Sequence, residues 1–146
     1  MNFNETIKNK KVALVGPAAY MVGSLYGEEI DNHDTVIRLN RGIESIHKYS
    51  SDVGVRTDIL YSCLIEKPAN AGHIDPISLK RDYNIKMVVA PPHSDFRGIA
   101  YQTKFHELVD IQKVNQMSKF MPVRLIDHKF HTELAIKADC KPNTGF

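Results

Sequence analysis

The chain has 146 residues, 42% hydrophobic and 25% charged, a balance that suits one globular domain with its own apolar core. Nineteen basic and 17 acidic side chains leave a formal charge of +2, without the concentrated basic face that nucleic-acid binding needs. The two cysteines, Cys63 and Cys140, match no metal spacing and read as reduced thiols, and no run approaches the roughly 18 apolar residues of a membrane span.

In chain order, MNFNETIKNKK lacks the apolar stretch of a secretory signal or anchor, so a cytoplasmic protein is expected. Its KNKK run, Lys8 to Lys11, reads as a solvated lead-in to a first strand, KVALVG (Lys11 to Gly16). A turn, VGPAAYMVGS, then leads into a helix predicted over Met21 to Ile30. TVIRLN (Thr35 to Asn40) is the second strand, and DVGVRTD (Asp52 to Asp58) is a structural turn feeding the third, DILYSC (Asp58 to Cys63). A helix over Ile77 to Tyr83 precedes the fourth strand, KMVVAP (Lys86 to Pro91). A helix over Thr103 to Met121, broken near Lys113, precedes the fifth, VRLID (Val123 to Asp127), and a last helix is predicted over His131 to Ala138.

Most of these strand runs are near-continuously apolar, the pattern of strands covered on both faces. Their alternation with helices predicts βαβ units and a mostly parallel, Rossmann-like α/β sheet flanked by helices, as a single domain over residues 1–146. Such a sheet collects the carboxyl ends of its strands on one edge, where ligands bind. The loops GPAAYMVGS, NRGIES and the one after Cys63 leave that edge, with APPHSDFRG as a further part of the rim, so Asn40 is expected at the ligand edge.

The glycines of the first turn, Gly16 and Gly23, are six residues apart with no following lysine, which excludes a P-loop; G-x-G-x-x-G is also absent. No acid closes the second strand, so a dinucleotide oxidoreductase is disfavoured. EEIDNHD invites a metal reading, but no D-x-D occurs in the chain. It reads instead as a helix end and a turn, with His33 and Asp34 capping the strand entry. His93, in PPHSD, could serve as a loop base but beside two prolines reads as an exposed side chain; His106, His128 and His131 have no recognisable partner, and Ser24, Ser62 and Ser94 lack an activating elbow. CKPNTGF offers backbone N–H groups and a hydroxyl at a predicted helix start, a simple anion site.

Taken together, Val-Gly at a strand end, then YGEEIDNHD, VIRLN and DVGVRT make the stretch from Lys11 to Asp58 similar to the large sialylmotif of glycosyltransferase family 29, the sialyltransferases. PNTG, Pro142 to Gly145, resembles the opening of the small sialylmotif. The resemblance implies an α/β nucleotide-sugar-binding fold that transfers sialic acid from CMP-sialic acid to a glycan hydroxyl, with inversion and without a metal or other cofactor. It implies that Asn40 helps hold the CMP part, since its amide offers both donor and acceptor. Asn143, Thr144 and Gly145 would meet ribose and phosphate, and Gly16, Pro17 and Ala18 would let backbone approach the nucleotide.

Three departures accompany it. Pro17 stands where many members carry a donor-contacting Asn, and Val12 stands where animal members carry a bridging Cys. The chain also ends at Phe146, before the family's later histidine, the general base. The expected protein is therefore a donor half-site, truncated at its C-terminus, a fragment or else a natural truncation that self-associates; no residue takes the base role by match. The alternatives are a non-catalytic CMP or nucleotide-binding module and an unrelated small Rossmann-like nucleotide-binding protein.

Overall fold

The computed structural model describes residues 2–17, 19–64, 66, 72–90, 111–126 and 133. Its centre is a five-stranded, all-parallel sheet: β1 (Val12–Val15), β2 (Thr35–Leu39), β3 (Ile59–Tyr61), β4 (Met87–Ala90) and β5 (Val123–Leu125). Every predicted strand forms, each shorter than its apolar run. Neighbours pair in chain order, with Val12 beside Thr35, Ile37 beside Ile59, Ile59 beside Met87 and Val88 beside Val123. All carboxyl ends therefore share one edge.

Side chains alternate across the sheet. One face carries Ala13, Val15, Val36, Leu60, Val88 and Ala90. It is covered by α2 (Gly27–Asp31), α3 (Ile46–Val53), α4 (Pro76–Tyr83) and α5 (Ile111–Ser118), through Ile30, Val53, Leu79, Val114 and Met117. The other face carries Ile59, Tyr61, Met87 and Val89, and Phe3 and Ile7 of α1 (Phe3–Ile7) pack on it. This division follows from the strand order, because right-handed crossovers that always step the same way put every connecting helix on one side.

The helices follow local sequence signals where those are strong. Asp75 accepts hydrogen bonds from the Ile77 and Ser78 N–H groups, Pro76 opens α4, and Asn84 closes it in the left-handed conformation. The helix predicted over Met21 to Ile30 forms only from Gly27. Before it the chain makes a 3₁₀ turn, Ala19–Met21, and enters the left-handed region at Gly23 (φ 84°) and Leu25 (φ 58°). Helices α1 and α3 were not predicted, and α3 is kinked at Tyr49. In its described part the helix predicted over Thr103 to Met121 is α5, which runs unbroken through Lys113, against expectation, and ends at Ser118, and that over His131 to Ala138 lies outside the described residues save Glu133. No helix among the described residues is long and apolar enough to cross a membrane.

Candidate functional site

At the carboxyl edge, β1 runs out into Gly16 and Pro17, half-buried and exposed respectively. A Cβ built on Gly16 would meet no atom of the described residues within 4 Å, and Gly16 has no positive φ, so nothing in the described structure demands glycine there. Among the described residues, its missing side chain leaves space above the strand end, through which another molecule can reach the backbone. The second strand's turn lies alongside. A Cβ on Gly42 would stand 3.4 Å from the Gly16 carbonyl carbon and the Pro17 nitrogen, so the two turns touch.

Asn40 opens that second turn, a 3₁₀ segment over Asn40–Ile43, with φ 44°. The left-handed conformation suits asparagine better than most residues. Its Oδ1 accepts the Cys63 N–H at 2.9 Å, which joins the carboxyl end of β2 to that of β3. Half of the amide is thus occupied in holding the edge together, while no described residue accepts from Nδ2. The polar residue at the strand mouth has a structural task that sequence reasoning missed. Further along, Arg41 and Glu44 form an ion pair (2.7 Å), and Gly72 (φ 69°) lies against both side chains. Glu66 accepts the Ile74 N–H at 3.0 Å and pairs with Lys113 at 3.0 Å. The Lys113 hydrogen bond, then the Ile74 N–H, hold its carboxyl below the usual range.

Beneath the rim, the remaining motif residues form a polar knot between α2, α3 and the sheet. Arg38 is fully buried. Its Nη2 donates to the Val53 carbonyl at 2.7 Å and its Nε to Thr57 Oγ1 at 3.0 Å, while Nη1 has no partner among the described residues. Burial lowers its pKa to about 10, against the opposing pull of Asp31, so it remains a cation at neutral pH. The Asp31 carboxylate accepts the Val55 and Arg56 N–H groups. Gly54 (φ 73°) closes α3 against Asp31, and Gly27 abuts the Ser50 and Ser51 carbonyls so closely that neither glycine leaves room for a Cβ. Asp58, 4% exposed, accepts from Val36 N–H and pairs with Lys86 (2.6 Å) and Arg56 (3.0 Å). Burial alone would raise its pKa, but these partners together leave it lowered. DVGVRTD is therefore a scaffold segment, as its turn composition suggested. Asp34 likewise braces the strand entry by accepting the Lys11 N–H at 2.8 Å.

Of the residues singled out in the sequence, Gly16, Pro17 and Asn40 come together on one rim, linked through Gly42. Ala18, Asn143, Thr144 and Gly145 lie outside the described residues, as do His93, His106, His128, His131 and Cys140. A groove of about 500 Å³ lies elsewhere, over the amino ends of β3 and β4, and touches none of the rim residues. The role of Gly42 had one legible signal, its place two residues after a strand-closing Asn; the Arg38 knot had none, because a charged residue within an apolar strand gives no hint of its partners.

The family model of glycosyltransferase family 29 (sialyltransferase) matches residues 3–133. That span contains every element from α1 to β5 and the whole stretch from Lys11 to Asp58, and stops before Pro142 to Gly145. No curated protein matches the chain. The family match covers most of the sequence, and the sheet it implies is the sheet observed: the chain belongs to glycosyltransferase family 29, the sialyltransferases.

Proposed function

We propose that the chain carries the donor half-site of a metal-independent, inverting sialyltransferase that works in the cytoplasm, with CMP-sialic acid as donor and a glycan hydroxyl as acceptor. The observation that carries this reading is the rim at the carboxyl edge, where the turns after β1 and β2 touch, a Cβ on Gly16 would meet no described residue, and Asn40 Nδ2 has no described acceptor. Because Oδ1 already accepts from the Cys63 N–H, the group Asn40 most readily offers a ligand is its Nδ2 donor, suited to a carbonyl or phosphate oxygen of a nucleotide monophosphate. Asn143, Thr144 and Gly145 complete the grip in this proposal, opposing with N–H groups the charge that grows on the phosphate as CMP leaves. In the transfer, the acceptor oxygen attacks the anomeric carbon and the bond to CMP breaks, its electron pair leaving on the phosphate. A base takes the hydroxyl proton.

Calorimetric titration with CMP, CDP, AMP and NAD tests the donor site. CMP is expected to bind most tightly, and Asn40→Asp, which keeps an oxygen for Cys63 but removes the donor, is expected to weaken it by about tenfold or more. Equal indifference to all four nucleotides would remove the donor-site reading. A non-catalytic nucleotide-binding module is the outcome if CMP binds tightly but CMP-sialic acid is never turned over with any glycan acceptor.

A further inference from the structure

The groove over the amino ends of β3 and β4 lies between α3 and α4, at the opposite edge of the sheet from the rim. His47, Asp82, Tyr83, Asn84 and Lys86 line it, with Asp58 at its floor. Its charges do not cancel. Two cations, Lys86 and Arg56, share the single carboxylate of Asp58, while the other lining carboxylate, Asp82, is held in two hydrogen bonds by Arg81 from outside the lining. Lys86 gives one N–H to Asp58 and its side chain is still 44% exposed, which leaves two N–H groups for another partner.

Beside it, His47 Nε2 and the Tyr83 hydroxyl are 2.8 Å apart, and their rings stack in a tilted contact with centroids at 5.2 Å. With the Nε2–H tautomer of His47 donating to the Tyr83 oxygen, the phenol O–H is left to donate to another partner. Burial, then the nearby Asp82 and Glu44 carboxylates, raise the Tyr83 pKa, so the phenol keeps its proton. Around these donors stand the Asn84 amide and the exposed side chain of Val55, which can meet hydroxyls and a ring face. The volume, about 500 Å³, has room for a monosaccharide.

We infer that this groove is a second binding site, separate from the nucleotide rim, for a small hydroxylated ligand bearing one oxyanion, held by Lys86 and the His47–Tyr83 pair. The anion can be a phosphate or a carboxylate, since both accept from an ammonium and a phenol.

Calorimetry on the whole chain with glucose 6-phosphate, glucuronate and glucose separates the possibilities. Saturable binding of either acidic sugar, and weaker or no binding of glucose, is expected; which acid binds identifies the anion. Lys86→Gln is expected to lower that affinity about tenfold and Tyr83→Phe about threefold. Because Lys86→Gln also strips a partner from buried Asp58, His47→Gln serves as the variant that leaves the ion pairs intact. It is expected to weaken the acidic sugar while CMP titration stays unchanged. The inference is overturned if neither acid saturates below about 10 mM, if glucose binds equally well, or if Tyr83→Phe and His47→Gln bind like the parent.

Discussion

At the scale of single residues, Asn40 separates two functions that one substitution would normally confound. Asn40→Ala removes both the acceptor for Cys63 N–H and the free donor, so it is expected to lose about 1–3 kcal/mol of stability together with nucleotide affinity. Asn40→Asp keeps the Cys63 bond and tolerates the left-handed backbone, so it is expected to melt close to the parent while losing the nucleotide. Thermal melting of both variants beside CMP titration checks the split; equal melting losses would mean that the Cys63 bond contributes nothing. Asp58 supports a second expectation. Its folded pKa is depressed below the ordinary value of 3.8, so its contribution is full above that value and is lost as pH falls through the folded value. Urea unfolding is therefore expected to show stability declining as pH falls below about 5, with Lys86→Met flattening that decline. A decline of the same steepness in Lys86→Met would assign it to other carboxylates.

At the scale of elements, the strands were legible because buried parallel strands must be largely apolar, and β1 to β5 are, save Thr35 and Arg38 in β2 and Arg124 in β5. The helices were legible only where caps or periodicity stood clear. In α4, Asp75, Pro76 and Asn84 mark both ends. In α3, Ile46, Tyr49 and Val53 keep helical spacing, but Ser50, Ser51 and Asp52 are weak helix formers that favour a turn reading. The five residues of α1 are too few for periodicity to show. The apolar run before α2 looked helical, yet Gly23 and Leu25 take positive φ because the backbone must deliver the Leu25 N–H to Asp52 at 3.0 Å. No local signal encodes that long-range bond. The rim was legible in its position and partly in its residues, since strand ends in a parallel sheet point to a ligand edge; the tie from Asn40 to Cys63 crosses 23 residues and was not. The close approach of α2 and α3 gives an expectation that reverses the usual rule. Replacing a helical glycine by alanine ordinarily stabilises by up to about 1 kcal/mol. At Gly27, where a Cβ meets the Ser50 and Ser51 carbonyls, alanine is expected to destabilise by about 1–3 kcal/mol. Urea midpoints of Gly27→Ala and of Gly16→Ala, where the Cβ meets nothing, should therefore diverge.

At the scale of the molecule, strand order governs which faces are covered and where a crevice can open. Open α/β sheets usually bind at the point where strand order reverses, because adjacent loops there part to opposite faces. The five described strands run in chain order with no reversal. The rim over Gly16 is thus formed by two turns in contact, Gly42 on Gly16, rather than by two loops diverging. The same order sends α2 to α5 to one face and leaves α1 alone among the described helices on the other. Phe3 and Ile7 lie there over a layer that includes Ile59, Tyr61, Met87 and Val89, and the Arg124 guanidinium sits 5.4 Å from the Phe3 ring centre. Toward β1 the cover thins: Leu14, beside Ile37 on this face, is 54% exposed. A five-residue helix has negligible stability by itself, so it is held by this contact and in turn keeps water from the layer beneath. Phe3→Ala and Ile7→Ala are each expected to cost about 1–3 kcal/mol, and the double variant to expose apolar surface that binds a hydrophobic dye in the native state. Glu5→Gln, on the outer side of the same helix, is expected to change neither measurement. If the double variant unfolds at the parent's urea midpoint and binds no dye, α1 is not what covers this face.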